Sequence, residues 1–325
     1  MDASPLRQRP GRSAYWWLAA IPVLVHAALL LLHSVNAPRL DDFSDGLVLL
    51  PQFYGTDSLW EKCRILFSMY QNHRWGLLHG IYFAYHCIDF RSANLLSFIP
   101  LLALPWLWFR LFRHEPYAPA LLAIATTLVF NLQAWTGLFW ITASLAAIPV
   151  IPLALLTCML ATRGDWRSLA LAAGTAVIAT FTNGNGVTLW PLVLAWLLYE
   201  VFTGRKTAVA RSSVWLLCSA MFVVLYFSRT ILDHEIPGTN NMPDAAAKIL
   251  ANPVLFLQGL LAMIGSIAMY HPDNMQYKLP LAVFIGASEV LALAWLLWRG
   301  ALRRYPAIIL LALRYLLLSG RSLRS

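Results

Sequence analysis

Long apolar runs separated by short polar connections constrain this chain more than any other feature. A hydrocarbon core of ~30 Å needs about 20 apolar residues per helix, and runs near that length recur throughout the sequence. They lie at about 15–33, 92–112, 117–134, 139–161, 168–182, 187–203, 212–228, 254–270 and 281–298, with a shorter run at about 305–318. The sequence therefore predicts an all-α, polytopic transmembrane helical bundle of about nine to ten hydrophobic helices.

Composition supports the same class. Hydrophobic residues make up 59% of the chain and charged residues 12%, and the mean hydropathy is +0.63. Ordinary soluble domains are far more polar. No stretch between the runs is long enough for a soluble catalytic domain, so we expect a single transmembrane domain over 1–325, in contact with membrane lipids. Any active site should then lie at helix ends and in loops.

Basic residues predict the topology. Three short connections that fall on the same side when the predicted helices are counted alternately carry basic residues: Arg110 and Arg113, Arg163 and Arg167, and Arg205, Lys206 and Arg211. The positive-inside rule places these three in the cytoplasm, together with the N-terminus. A multi-pass protein of the cell (inner or plasma) membrane is expected, with extracytoplasmic loops at 34–91 and 229–253. The net charge of +9 then reflects helix-flanking arginines and indicates no nucleic-acid partner.

The first extracytoplasmic loop is long enough to hold structure of its own. Ser58 and Glu61 stand in capping-box relation before apolar residues at helical spacing, which predicts an amphipathic interfacial helix. A second short apolar element covers 76–88, too short to span a bilayer. His73 and Arg74 fall at the turn between the two elements.

Acidic residues open the same loop. Asp41 and Asp42 lie just past the outer end of the first helix, and two adjacent carboxylates in a turn can converge on one ligand. They suit a catalytic base for an acceptor hydroxyl or a site for a divalent cation such as Mg²⁺ or Mn²⁺. The alternative is a solvated turn.

Other polar residues are candidates for substrate binding. The guanidinium of Arg74 matches the geometry of phosphate oxygens, and His73 can donate or accept, although a surface ion pair explains them equally well. Asn183 and Asn185 either form a tight turn or line the outer mouth of the bundle. Glu289 within an apolar run needs a partner, for which Arg314 is a candidate.

These motifs resemble a known family. An acidic pair after the first helix, followed by a long outer loop with surface helices, resembles the GT-C superfamily of integral membrane glycosyltransferases. Asn72-His73-Arg74 is similar to the Asn-Glu-His-Arg-type motif of GT-C-like proteins encoded with bacterial surface-polysaccharide genes. The segment 181–191, Phe-Thr-Asn-Gly-Asn-Gly-Val-Thr-Leu-Trp-Pro, resembles their Asn-Gly-(x)n-Trp-Pro signature.

The resemblance implies an activity. A sugar would be transferred from a polyprenyl-phosphate-linked donor to a lipid or glycan acceptor on the outer face of the membrane. Asp41 or Asp42 would act as catalytic base or metal-binding residue, and His73 and Arg74 would hold the donor phosphate. The family's Glu is replaced by Asn72. The family also continues through further helices after a Ser-Arg-Tyr element like Arg314-Tyr315, which predicts a truncated chain here.

Two other functions stay open. A transporter or flippase of lipid-linked saccharide would need polar groups along a pathway through the membrane. A non-catalytic component of a polysaccharide assembly system would need none of the predicted site residues. Polar residues are concentrated in one outer loop, which favours the transferase.

Overall fold

The computed structural model describes residues 12–37, 48–70, 73–74, 76–84, 89–130, 141–228, 252–264, 275–300 and 304–319. Regular structure in these ranges is helical, apart from a hairpin of two two-residue strands. The all-α prediction is therefore confirmed.

Each predicted apolar run overlaps one or more helices of the structure. The first half of the chain contains α1 (Arg12–His33), α2 (Val48–Gly55), α3 (Leu59–Leu66), β1 (Met69–Tyr70), β2 (His73–Arg74), α4 (Gly76–Ala84), α5 (Phe90–Leu96), α6 (Phe98–Phe112), α7 (Ala118–Val129) and α8 (Ile141–Ala146). The second half contains α9 (Val150–Ala161), α10 (Trp166–Thr182), the 3-10 helix Gly184–Thr188, α11 (Leu189–Phe202), α12 (Ala208–Phe227), α13 (Pro253–Ile264), α14 (Met275–Trp298) and α15 (Pro306–Ser319).

Several helical stretches are long enough to cross a bilayer. Within the described ranges, six have the necessary length and hydropathy: Ala14–His33, Phe90–Phe112, Ser144–Ala161, Gly184–Phe202, Ala208–Phe227 and Leu279–Trp298. The protein is thus a multi-pass helical membrane protein. The predicted apolar run at 254–270 corresponds to α13, which is described as far as Ile264.

The chain divides into two compact units. Unit 1 comprises residues 1–48 and 81–152, and in it α7 packs against α1 and α6. The His26 ring lies between Phe98 and Phe130, at centroid distances of 5.9 and 5.3 Å. The backbone N–H of Phe90 donates to the side-chain oxygen of Asn36 at 2.9 Å, which ties the start of α5 to the segment after α1.

Unit 2 comprises residues 49–80 and 153–325 and packs around a buried tryptophan. The indole N–H of Trp190 donates to Thr180 Oγ1 at 3.0 Å, and the indole N–H of Trp215 donates to the Trp190 carbonyl at 2.9 Å. Phe222 stacks on Trp190 at 5.4 Å. These contacts join α10, α11 and α12, and α13, α14 and α15 pack with one another in the same unit.

One end of unit 2 is held by buried charge. Glu200, near the end of α11, forms ion pairs with Arg205 and with Arg211, the latter at 3.0 Å. Arg211 also donates to the Ala161 carbonyl at the end of α9, at 3.2 Å. The connections after α9 and α11 therefore meet at this end, called here the arginine end.

The predicted helix start in the first loop is confirmed. Ser58 caps α3, and its side-chain oxygen accepts from the Glu61 N–H at 3.3 Å. Helix α4 occupies most of the predicted second element. The turn between them is an antiparallel hairpin, with Met69 opposite Arg74 and Tyr70 opposite His73. Apart from its last two residues, the predicted loop 229–253 lies outside the described residues.

Candidate functional site

Among the predicted site residues whose side chains the structure describes, Arg74 makes the most hydrogen bonds. The residue is completely buried. Its Nε donates to the Tyr226 carbonyl at 2.7 Å, Nη1 to the Phe67 carbonyl at 2.6 Å and Nη2 to the Ser228 carbonyl at 2.9 Å. Its backbone N–H donates to the Tyr226 hydroxyl at 3.3 Å. Arg74 thus fixes strand β2 to the C-terminal end of α12.

Aromatic rings connect the same hairpin to α10. Phe67 contacts Phe181 at 5.2 Å between ring centroids, and Phe181 contacts Tyr226 at 6.0 Å. At Gly76 the backbone approaches so closely that a Cβ would lie 2.8 Å from the Phe67 ring and 3.2 Å from the Phe181 carbonyl oxygen. The hairpin therefore lies where α10 and α12 end, and this region is called here the hairpin end of unit 2.

The Asn183 turn begins two residues after Phe181. Asn183 is buried, and its side-chain oxygen accepts from the Asn185 N–H at 3.0 Å. Its backbone carbonyl accepts from the Gly186 N–H at 2.7 Å. These bonds start the 3-10 helix, which returns along α10 so closely that Gly186 lies against the backbone of Ala179. The turn prediction for these residues agrees with this geometry.

Arg314 approaches the same turn from α15. It is 4% exposed, and its Nη2 donates to the Asn185 carbonyl at 3.2 Å. That carbonyl also accepts from Thr188 Oγ1 at 2.7 Å, so Arg314 shares its acceptor with Thr188. The candidate partner Glu289 is exposed on α14, and no ion pair joins these two described residues.

Two of the predicted regions therefore come together. Strand β2, which contains His73 and Arg74, and the turn with Asn183 and Asn185 both adjoin Phe181 at the hairpin end, although about 110 residues separate them in sequence. The side chain of His73 lies outside the described part of the structure. Asp41 and Asp42 lie there as well, so the catalytic-base and cation-site predictions stay predictions.

Metal binding finds no additional support in the described ranges. No group of three or more His, Cys, Asp or Glu side chains there could hold a metal ion. His79 is fully buried, and its Nδ1 lies 2.9 Å from the Leu66 carbonyl, which fits a structural histidine joining α3 and α4.

Sequence reasoning missed residues that build the hairpin end and the arginine end. Tyr226 contributes its hydroxyl, carbonyl and ring, and it lies inside a run that reads only as an apolar helix. Glu200 was missed for the same reason, although a carboxylate followed by Arg205 and Arg211 was a visible signal.

Comparisons with known proteins add no family. No protein-family model, no curated protein and no solved structure matches this chain. The site must therefore be interpreted from its own chemistry.

Proposed function

We propose that this protein is a membrane glycosyltransferase of the GT-C type. It moves a sugar from a polyprenyl-phosphate-linked donor to a lipid or glycan acceptor on the outer face of the membrane. The observation that supports the proposal is the meeting of strand β2 and the Asn183 turn at one end of unit 2. The two segments that carry the family resemblance are distant in sequence, and shared packing at one helix end is what a common substrate site requires.

The proposed reaction needs a base and an anion-binding group. A carboxylate of Asp41 or Asp42 takes the proton of the acceptor hydroxyl, whose oxygen forms the new bond to the anomeric carbon. The bond from that carbon to the phosphate oxygen breaks, and the polyprenyl phosphate leaves with the electron pair. The resemblance assigns the donor phosphate to His73 and Arg74. Because the three guanidinium nitrogens of Arg74 donate to carbonyls of the protein and hold strand β2 against α12, we assign phosphate binding on this strand to His73.

The arrangement of charge supports the proposed orientation. Arg163, Arg205 and Arg211 belong to connections at the arginine end, whereas the hairpin and the Asn183 turn lie where α10 and α12 end. With the arginine end in the cytoplasm, as the positive-inside rule favours, the hairpin end faces outward. That is the side on which a polyprenyl-linked donor would be used.

The test is sugar transfer in proteoliposomes. Purified protein is reconstituted with polyprenyl-phosphate-linked sugars and acceptor lipids, and transfer is measured for wild type, Asp41→Asn, Asp42→Asn and the double variant. Loss of a general base lowers the rate by about 10²- to 10⁴-fold. Asp57→Asn is the matched control, because Asp57 is an exposed acid of the same loop and should retain full activity.

Two results would contradict the proposal. One is wild-type transfer by the double variant. The other is the absence of transfer together with movement of lipid-linked saccharide across the vesicle bilayer, which would identify a flippase.

A further inference from the structure

Among the residues of unit 2 that the structure describes, three arginines are buried, and their partners differ. Arg74 is 0% exposed, Arg211 1% and Arg314 4%. A guanidinium removed from water loses its hydration, and a protein must replace that loss with opposite charge or with hydrogen bonds. The partners of each arginine therefore indicate whether its charge is needed by the fold or by a ligand.

Arg211 and Arg74 are compensated within the protein. The carboxylate of Glu200 lies 3.0 Å from Arg211 Nη1, so the charge of Arg211 is neutralised even though its Nε has no partner. Each of the three guanidinium nitrogens of Arg74 donates to a carbonyl oxygen at 2.9 Å or less.

Arg314 has neither form of compensation among the described residues. Its single described bond is the 3.2 Å contact with the Asn185 carbonyl, which Thr188 already occupies at 2.7 Å. Its Nε is buried and has no hydrogen-bond partner.

The helices around α15 offer no carboxylate to Arg314. In the described ranges α15 packs against α11, α13, α14 and the 3-10 helix, and these elements carry two acidic residues, Glu200 and Glu289. Glu200 is paired with Arg205 and Arg211, and Glu289 is exposed. A buried cation in an apolar bundle without a counter-charge is costly, and such residues typically mark a ligand or ion pathway.

We propose that Arg314 binds a phosphate group beside the 3-10 helix Gly184–Thr188, with the guanidinium fork donating to the phosphate oxygens. The chemistry suits the phosphate of a polyprenyl carrier and also a free phosphate ester, since both present a compact oxyanion. The identification of the carrier lipid rests on the proposed function, whereas the anion site does not. Asn185, already predicted to bind substrate, contributes its carbonyl to hold Arg314 in place.

The experiment measures ligand-dependent thermal stability of the purified full chain in detergent. Wild type, Arg314→Gln and Arg314→Lys are titrated with a long-chain polyprenyl phosphate, with inorganic phosphate and with an uncharged polyprenol. Arg110→Gln is the matched control, because it removes the same charge from an exposed position on α6. Arg74→Gln reports the cost of losing a structural arginine.

The expected result has two parts. A phosphate ligand stabilises wild type and Arg110→Gln but binds Arg314→Gln at least about tenfold more weakly, as loss of charge-assisted hydrogen bonds implies. Arg314→Lys is intermediate, since it keeps the charge but loses the fork. Without ligand, Arg314→Gln unfolds at or above the wild-type temperature, whereas Arg74→Gln unfolds below it.

The two phosphate arms identify the source of the ligand. Stabilisation by the polyprenyl phosphate and not by inorganic phosphate assigns the site to the carrier lipid, and equal stabilisation assigns it to a soluble phosphate. Equal ligand shifts in wild type and Arg314→Gln, or no shift in wild type with either ligand, would overturn the inference. So would an unliganded Arg314→Gln as unstable as Arg74→Gln or unable to fold, because the arginine would then be structural.

Failure of this inference and failure of the proposed function can be told apart. Phosphate binding that depends on Arg314 in a protein without transferase activity would refute the function alone. If wild type transfers sugar but Arg314→Gln binds phosphate as tightly as wild type, the inference alone is refuted.

Discussion

The close approach of Gly186 to α10 makes a sharp prediction about the Asn183 turn. A Cβ at Gly186 would lie 2.2 Å from the carbonyl carbon and oxygen of Ala179 and 2.4 Å from the Thr180 nitrogen. All three atoms are backbone in a buried stretch of helix, so no side chain can rotate away. Gly186→Ala must therefore push the 3-10 helix off α10 by about 1 Å or more to restore ordinary carbon contacts of ~3.5 Å.

The cost of that displacement can be worked from its neighbours. Overpacking of a buried site costs about 1–3 kcal/mol. Moving the turn also weakens the bond between Trp190 and Thr180, which lies just beyond it and holds α11 to α10. A buried hydrogen bond contributes about 1 kcal/mol. We expect Gly186→Ala to lower the free energy of unfolding by about 2–4 kcal/mol in total.

Gly174→Ala is the matched control for this substitution. Gly174 lies on α10 as well, and a Cβ there meets no atom within 4 Å. Alanine is favoured over glycine inside a helix by about 1 kcal/mol, so Gly174→Ala should be neutral or stabilising. Reversible denaturation in mixed micelles measures both variants against wild type. Equal stability of Gly186→Ala and wild type would refute the close contact between the turn and α10.

Two further predictions concern charge in unit 2. Glu200→Gln leaves the buried Arg211 without its counter-charge and should lower the free energy of unfolding by about 3–5 kcal/mol. Arg205→Gln removes the more exposed partner of Glu200 and should lower it by about 0–1 kcal/mol in the same denaturation assay. Equal costs would contradict the assignment of Arg211 as the residue that requires Glu200. At the start of α10, the Ser168 N–H donates to the Asp165 carboxylate and lowers the pKa of that carboxyl. Because the folded-state pKa is depressed, the stabilisation is complete above the unfolded-state pKa and is lost as pH falls through the folded-state value. As the pH falls below about 4, the denaturation midpoint of wild type should therefore decrease more than that of Asp165→Asn. Parallel dependence of the two midpoints on pH would show that the Asp165 carboxylate does not stabilise the start of α10.

Much of the fold could be predicted because apolar runs leave few alternatives in a membrane. The run 168–182 became α10 and the run 281–298 became most of α14. The sequence also contains a signal for the interruption of the helix within the run 92–112. Pro100 cannot donate to the Leu96 carbonyl, and the structure divides the run into α5 and α6 at Ser97.

The hairpin end could not be predicted in the same way. Strands of two residues have no measurable alternation, so β1 and β2 leave no pattern. Arg74 is held by the carbonyls of Tyr226 and Ser228, more than 150 positions away in sequence. Every residue has a carbonyl, so no sequence signal marks the ones that will accept from a distant arginine.

The hydrogen bonds within the protein determine which of the predicted residues remain available to a substrate. Asn183 uses its side-chain oxygen to start the 3-10 helix, and Arg74 directs three donors at the protein's own carbonyls. Both residues build the hairpin end, and their loss would disturb its shape before it disturbed any ligand. Arg314 differs because the protein provides it with a single shared carbonyl at 3.2 Å. In the sequence, Arg74 stands in a polar loop and is the more obvious candidate for ligand binding. Because burying a charge in an apolar helix is costly, Arg314 is nevertheless the stronger indication of a ligand site.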